Sequence, residues 1–297
     1  MDMFWPYHFV TPSEQEKVRR RELLDLRGSY AQWSIVFMIV AIRAYQFWVQ
    51  SSAQHDTESK RQRAQLLWWD RPLFAGWLET RRQYALCGIW LLWLLGLAVW
   101  NSGDDYLHLT KALGHVALSQ IPLQVLMSPA AYISTSKPAA SSICSLVTSI
   151  PQVTLSPYHR LLGRLVISPL LTGHAALYLV FFAQSSHPDF GTLLNKRIRD
   201  FDVQCGLMAV SMLLYTVFFQ RPRAASSKTN TRGRRAVGSM RERRLSFYFG
   251  HIALVGLLCF SAYYHVAQAQ KYMLQALGAF TANSAVSWAM IRWSGRR

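Results

Sequence analysis

YHRLLGRLVISPLLTGHAALYLVFF, residues 158–182, decides the fold. Its last eighteen residues, Leu165–Phe182, carry no Asp, Glu, Lys or Arg, and a run of that length and composition matches the hydrocarbon thickness of a bilayer. A histidine nevertheless sits inside it, at His174, and a second precedes it at His159. RRLSFYFGHIALVGLLCFSAYYHVAQ, residues 243–268, repeats the arrangement with His251 and His265 around the apolar run Phe247–Ala267.

Working outward, Tyr84–Trp100 and Val203–Phe219 are further runs of spanning length. Ala112–Ile133 and Tyr272–Ile291 include Gln, Ser, Asn and Pro and therefore suit the interior of a helix bundle better than a lipid-facing position. Trp33–Gln50 contains Arg43, and a charge near the bilayer centre costs roughly 2.5–3.5 kcal/mol unless it snorkels. The sequence therefore predicts an all-α integral membrane protein. Six core transmembrane helices form residues 83–297, an extra N-terminal span and a linker occupy 31–82, and a tail covers 1–30.

Composition agrees with that reading. Of 297 residues, 51% are hydrophobic and 16% charged, against about a quarter charged in a soluble domain. The formal net charge of +17 would suggest a nucleic-acid partner in a soluble protein. Here the basic residues fall between apolar runs, where they set topology, so no nucleic acid is expected. Seven alternating spans put nineteen Lys and Arg on the side of the linker 51–82, Lys137, the loop 220–246 and the C-terminal tail, against nine opposite, five of these in the N-terminal tail. The expected orientation of this multi-pass protein is thus a cytosolic C-terminus. If the first run lies only in the interface, both ends are cytosolic and the rest is unchanged.

Residues 66–82, LLWWDRPLFAGWLETRR, read either as an interfacial helix or as a plain linker. The Ser- and Arg-rich stretch 223–240 reads as mobile. The four cysteines, Cys87, Cys144, Cys205 and Cys259, are dispersed and read as packing residues. No cleaved secretory signal, internal repeat, G-x-G-x-x-G or P-loop is present.

The nine histidines carry the functional signal. His159 and His174 are fifteen residues apart, about 22 Å and four turns plus 60° along a helix; His251 and His265 are fourteen apart, about 21 Å and four turns less 40°. Each helix offers two imidazoles on broadly one face. One span separates the two helices, so they run parallel, and His159 can meet His251 while His174 meets His265. Facing imidazoles in an apolar slot are what axial ligation of a b-type haem requires. Gly163, Gly173, Gly250 and Ser261 lie beside the histidines and offer room for a macrocycle. A single intramembrane histidine is as readily a packing residue hydrogen-bonded to a neighbour, and that reading is preferred for His115. His8, His55, His108 and His187 read as loop or tail residues. Arg160 and Arg164 stand at the mouth of the first histidine helix, placed either to pair with haem propionates or to snorkel to headgroups. Pro169 removes a backbone hydrogen bond between His159 and His174 and predicts a kink or bulge.

These motifs resemble the transmembrane domain shared by ferric reductases and NADPH oxidases. HRLLGR with His174, Ala175 and Tyr178 resembles its third core helix, and RRLSFYFGH through His265 its fifth. HLTKALGHVALSQIPLQ, residues 108–124 with Gly114 and Ala117, resembles its second. The resemblance covers roughly Tyr84–Arg297. It implies two haem b groups, the inner held by His159 and His251 and the outer by His174 and His265, all four ligating haem iron.

Two features depart from the family. Its first histidine pair is normally fourteen residues apart, which bears on the outer site. The chain also ends at IRWSGRR, where family members continue into a flavin and nicotinamide dehydrogenase domain, so no FAD or NAD(P)H site is expected. The leading expectation is a ferric-reductase-type membrane oxidoreductase passing single electrons from a separate flavoprotein donor, which the basic loop 220–246 could dock. One alternative is a haem-dependent oxidoreductase acting on an apolar metabolite in a biosynthetic pathway. Another is a non-redox membrane scaffold or an ion or proton pathway.

Overall fold

A computed structural model describes residues 7, 10, 12–52, 68–73, 79–128, 141–184, 190–219 and 240–294. The described residues form helices and connecting turns, with one isolated bridge between Pro72 and Thr80. In chain order the helices are α1 (Glu14–Ser52), α2 (Arg81–Val99), α3 (Tyr106–Leu118), α4 (Ile121–Leu126), α5 (Ile143–Thr148), α6 (Gln152–Leu161), a π-helical turn (Leu162–Ile167), α7 (Ser168–Gln184), α8 (Phe190–Arg199), α9 (Phe201–Phe219), α10 (Met240–His265) and α11 (Ala267–Ser294). Five segments are long and apolar enough to cross a membrane: Glu14–Ser51, Arg81–Val99, Gln152–Phe181, Phe201–Phe219 and Leu245–His265. The chain is an all-α, multi-pass membrane protein. His8, His55, His187, Lys137 and most of the linker and of the loop 220–246 lie outside the described residues.

The expected span Ala112–Ile133 differs in detail. Its helix starts earlier, at Tyr106, where the Asp105 side chain caps the first turn by accepting from Leu107 N at 3.0 Å, and it stops at Leu118. Pro122, at the start of α4, has no N–H to donate to the Leu118 carbonyl and its ring crowds that carbonyl, so the helix breaks at Ser119–Gln120. Every residue of α3 from Ala112 to Leu118 is buried. The small residues Ala112, Gly114 and Ala117 let α1, α2, α7 and α11 pack around this helix, which makes it the core. Asn283, buried on α11, donates to the carbonyls of Val125 and Ser128, both at 2.8 Å, and accepts from Ile143 N at 2.8 Å. One amide thus closes the free backbone groups of α4 and α5 where water is scarce.

The N-terminal helix is part of the bundle and runs without a break across residue 30. Gly28 brings it against Tyr272, Asp25 Oδ1 accepts from Lys271 Nζ at 2.5 Å, and Trp93 donates to Ser34 Oγ at 3.0 Å. Arg43 donates to Ser149 Oγ at 2.5 Å and to Gln46 Oε1 at 3.3 Å. Arg20 pairs with Asp105, and the fully buried Arg27 donates to the Trp100 carbonyl and to His108 Nε2. Two of the five basic residues that weighed against the N-terminal orientation are therefore internal structural partners. His108, read from the sequence as a loop or tail residue, belongs instead to the first turn of α3 and is buried against Arg27.

Trp68 and Trp69 pack edge to face, the Arg81 guanidinium lies 4.4 Å from the Trp68 ring, and Arg82 pairs with Asp70 at 2.9 Å. The described part of the linker thereby folds back onto the start of α2. A capping box between Thr80 and Gln83 begins that helix.

Candidate haem-binding site

His159 lies in the last turn of α6, His174 lies on α7, and His251 and His265 both belong to α10. The four rings meet as two pairs. The centroids of His159 and His251 are 6.5 Å apart with planes at 74°, and those of His174 and His265 are 6.2 Å apart at 66°. The fifteen-residue spacing is reconciled with the fourteen-residue one by the π-helical turn. A π turn bonds i to i+5 and so takes up one residue more than an α turn; here Ser168 N donates to Gly163 O across the bulge, and Ser168 Oγ donates to the same carbonyl at 2.6 Å. Pro169 follows directly. Without an N–H, and with a ring that crowds the carbonyl four residues back, it favours a widened turn over a regular one.

Three of the four Nδ1 atoms donate to a backbone carbonyl of another helix or its first turn: His159 to Gln124 at 2.9 Å, His174 to Thr110 at 2.8 Å and His265 to Asp202 at 2.7 Å. A carbonyl only accepts, so the proton of these imidazoles is on Nδ1 and the Nε2 lone pair is left for the facing ring or for a metal between them. His251 Nδ1 is buried with no hydrogen-bond partner among the described residues.

Two metal–imidazole bonds of about 2 Å, each extended by roughly 1 Å to its ring centre, place the centres about 6 Å apart across one metal ion. Both observed separations fit. Among the described residues no group of three or more His, Cys, Asp or Glu could hold a bare metal ion, whereas paired imidazoles suit a metal that brings four equatorial nitrogens of its own. The donor set therefore fits haem.

Two glycines on facing helices pack against the rings. A Cβ on Gly114 of α3 would lie 3.1 Å from two atoms of the His174 ring, and one on Gly206 of α9 would lie 2.7 Å from two atoms of His265. Gly173 has nothing within 4 Å of that position, and Gly163 faces Gln124 at 2.9 Å. Arg160 pairs with Glu79 at 3.1 Å, and Arg164 Nη2 donates to Tyr84 Oη at 3.1 Å. His115 Nε2 is 3.0 Å from Tyr272 Oη and 3.5 Å from Asp25 Oδ1, a buried packing arrangement away from the four rings.

A model of the ferric reductase like transmembrane component matches residues 113–262. The chain belongs to that family. The match includes His159, His174 and His251 and ends three residues before His265. It places the chain among membrane oxidoreductase components. A search of curated proteins and one of solved structures each returned no match. Within the ferric reductase like frame, Gln124, Glu79, Tyr84 and Gly206 were not singled out by sequence reasoning. Each acts on a residue distant in the chain, which no local spacing marks.

Proposed function

We propose that the chain is the haem-b electron-transfer component of a ferric-reductase-type oxidoreductase, with His159 and His251 holding the inner group and His174 and His265 the outer. Haem b, once bound, takes up and releases one electron at a time. The protein orients the imidazoles. Cross-helix carbonyls fix the tautomer of His159, His174 and His265 and raise the basicity of Nε2. Val116, Val166 and Ile167, buried on α3 and the π turn, belong to the apolar core of the bundle that carries the four histidines. In this reading the reductant is a separate flavoprotein, met on the cytosolic side that the Lys and Arg distribution favours for the C-terminus. Arg160, carried on the Glu79 carboxylate, and Arg164, on Tyr84, stand at that end.

The observation that supports this reading best is the equal spacing of the two ring pairs despite unequal spacing in sequence. The test is the absorption spectrum of the purified protein, with the haem-to-protein ratio. Soret and α bands of low-spin b-type haem after dithionite, at a ratio near two, are expected. A colourless preparation from haem-replete cells overturns the proposal.

A further inference from the structure

We propose that His251 is the exchangeable ligand of the quartet, so that the inner position accepts a small, neutral, π-accepting molecule while the outer position stays closed. This rests on the haem reading above. The four imidazoles are not equivalent. His159, His174 and His265 are each anchored through Nδ1 to a carbonyl that is not on their own helix. His251 has no such anchor among the described residues; its Nδ1 is buried and unpaired, and its ring stacks on Phe247 at 5.6 Å and 16°.

A buried donor without an acceptor is costly to keep. The hydrogen bond that is missing is the kind that orients a metal-bound imidazole and raises its basicity, and losing such an outer partner typically costs ~10–100-fold in metal affinity. His251 is therefore the weakest of the four ligands by about that factor, while its partner His159 is among the best held. The outer pair has both anchors, and Gly206 and Gly114 pack directly on its rings.

In the exchange, the bond between iron and His251 Nε2 breaks and one bond from iron to the incoming molecule forms. His251 leaves as the neutral imidazole, and no electron or proton is transferred. The fifteen-residue spacing pointed to the outer site as the irregular one; the π turn absorbs that irregularity, and the asymmetry lies at the inner site.

Carbon monoxide is the probe. The full-length holoprotein in lipid nanodiscs is reduced with dithionite and titrated with carbon monoxide, and the adduct is read from the difference spectrum as a share of total haem. Wild type is expected to form adduct on half of its haem. H251A is expected to keep that share but bind without the slow displacement phase, and H265A, whether its outer haem is lost or left with one ligand, to form adduct on all of the haem it retains. A full haem complement with no adduct in wild type overturns the inference, as does H251A reaching full adduct while H265A stays at half, which would make the outer site the open one. If H251A does not fold, wild type and H265A still decide. A protein without haem bands refutes the haem reading itself, a result distinct from haem bands without an adduct.

Discussion

Gln124 and His159 hold each other twice. The imidazole Nδ1 donates to the Gln124 backbone carbonyl at 2.9 Å, and the Gln124 side-chain Nε2 donates back to the His159 carbonyl at 2.8 Å. The first bond sets the tautomer and the second holds the end of α6, so ring and backbone are positioned by one residue. Gly163 is required for the clamp, since a Cβ there would come within 2.9 Å of the Gln124 amide nitrogen. Q124L leaves the backbone carbonyl that accepts from His159 Nδ1 but removes the amide that holds the His159 carbonyl, so it is expected to shift the midpoint potential of the inner haem alone. G163A, which displaces the same amide, should shift it in the same direction by less. Potentiometric titration checks this, and an unchanged potential in both variants would remove the clamp from the account.

The glycines facing the outer pair differ in how much room they leave. A Cβ at Gly206 would sit 2.7 Å from two atoms of the His265 ring, which real contacts do not allow, whereas one at Gly114 would sit 3.1 Å from His174. His265 cannot yield easily, because its Nδ1 is bound to Asp202. G206A is expected to lose the outer haem, halving the haem-to-protein ratio. G114A should keep both groups with a small displacement of the α band. The pyridine haemochrome assay and the reduced spectrum distinguish the two.

The π turn leads to a prediction about chain length. One residue removed from it, as in deletion of Leu165 combined with P169A, returns the segment to α-helical bonding at fourteen-residue spacing and leaves His159 and His174 where they are. Replacing Pro169 is necessary because its ring crowds the regular turn. That variant is expected to retain both haems. One alanine inserted after Val255 of α10 turns His265 by about 100° relative to His251 and should cost the outer haem. Loss of the outer haem in the deletion variant would show that the bulge does not absorb the extra residue.

The histidine quartet and the helical frame were legible in the sequence because both depend on local periodicity: spacing along one helix fixes which residues share a face. Partners across helices leave no such trace. His108 reads as a loop residue because the apolar run starts after Lys111, and only the fold shows that Arg27, eighty-one residues earlier, meets it. Gly163, Gly173, Gly250 and Ser261 read as room for a macrocycle because they neighbour the histidines in sequence; Gly114 and Gly206, which pack on the imidazole rings themselves, lie on facing helices and carry no local mark. Hydropathy shows an apolar run from Ala112 to Ile133 but neither where its helix starts, which the Asp105 cap sets, nor where it breaks, which Pro122 sets.

Gly28 and Tyr272 decide whether the N-terminal helix belongs to the bundle. A Cβ on Gly28 would lie 1.8 Å from Tyr272 Oη and 2.9 Å from Cζ, and 3.1 Å from Cδ2 of His115. Tyr272 is fully buried and its hydroxyl is hydrogen-bonded to His115 at 3.0 Å, so the ring has nowhere to go. G28A must push α1 outward, straining the neighbouring Asp25–Lys271 and Arg27–His108 pairs. Overpacking of this kind costs about 1–3 kcal/mol. Y272F alone leaves His115 without its hydroxyl partner, at a cost of about 1–3 kcal/mol. Combined, the two are expected to cost less than the sum of their separate effects, because removing the hydroxyl relieves the closest clash that the alanine creates. Thermal melts of the four proteins in one detergent measure the coupling. Strict additivity, or a G28A melt equal to wild type, would mean that α1 does not rest on Tyr272.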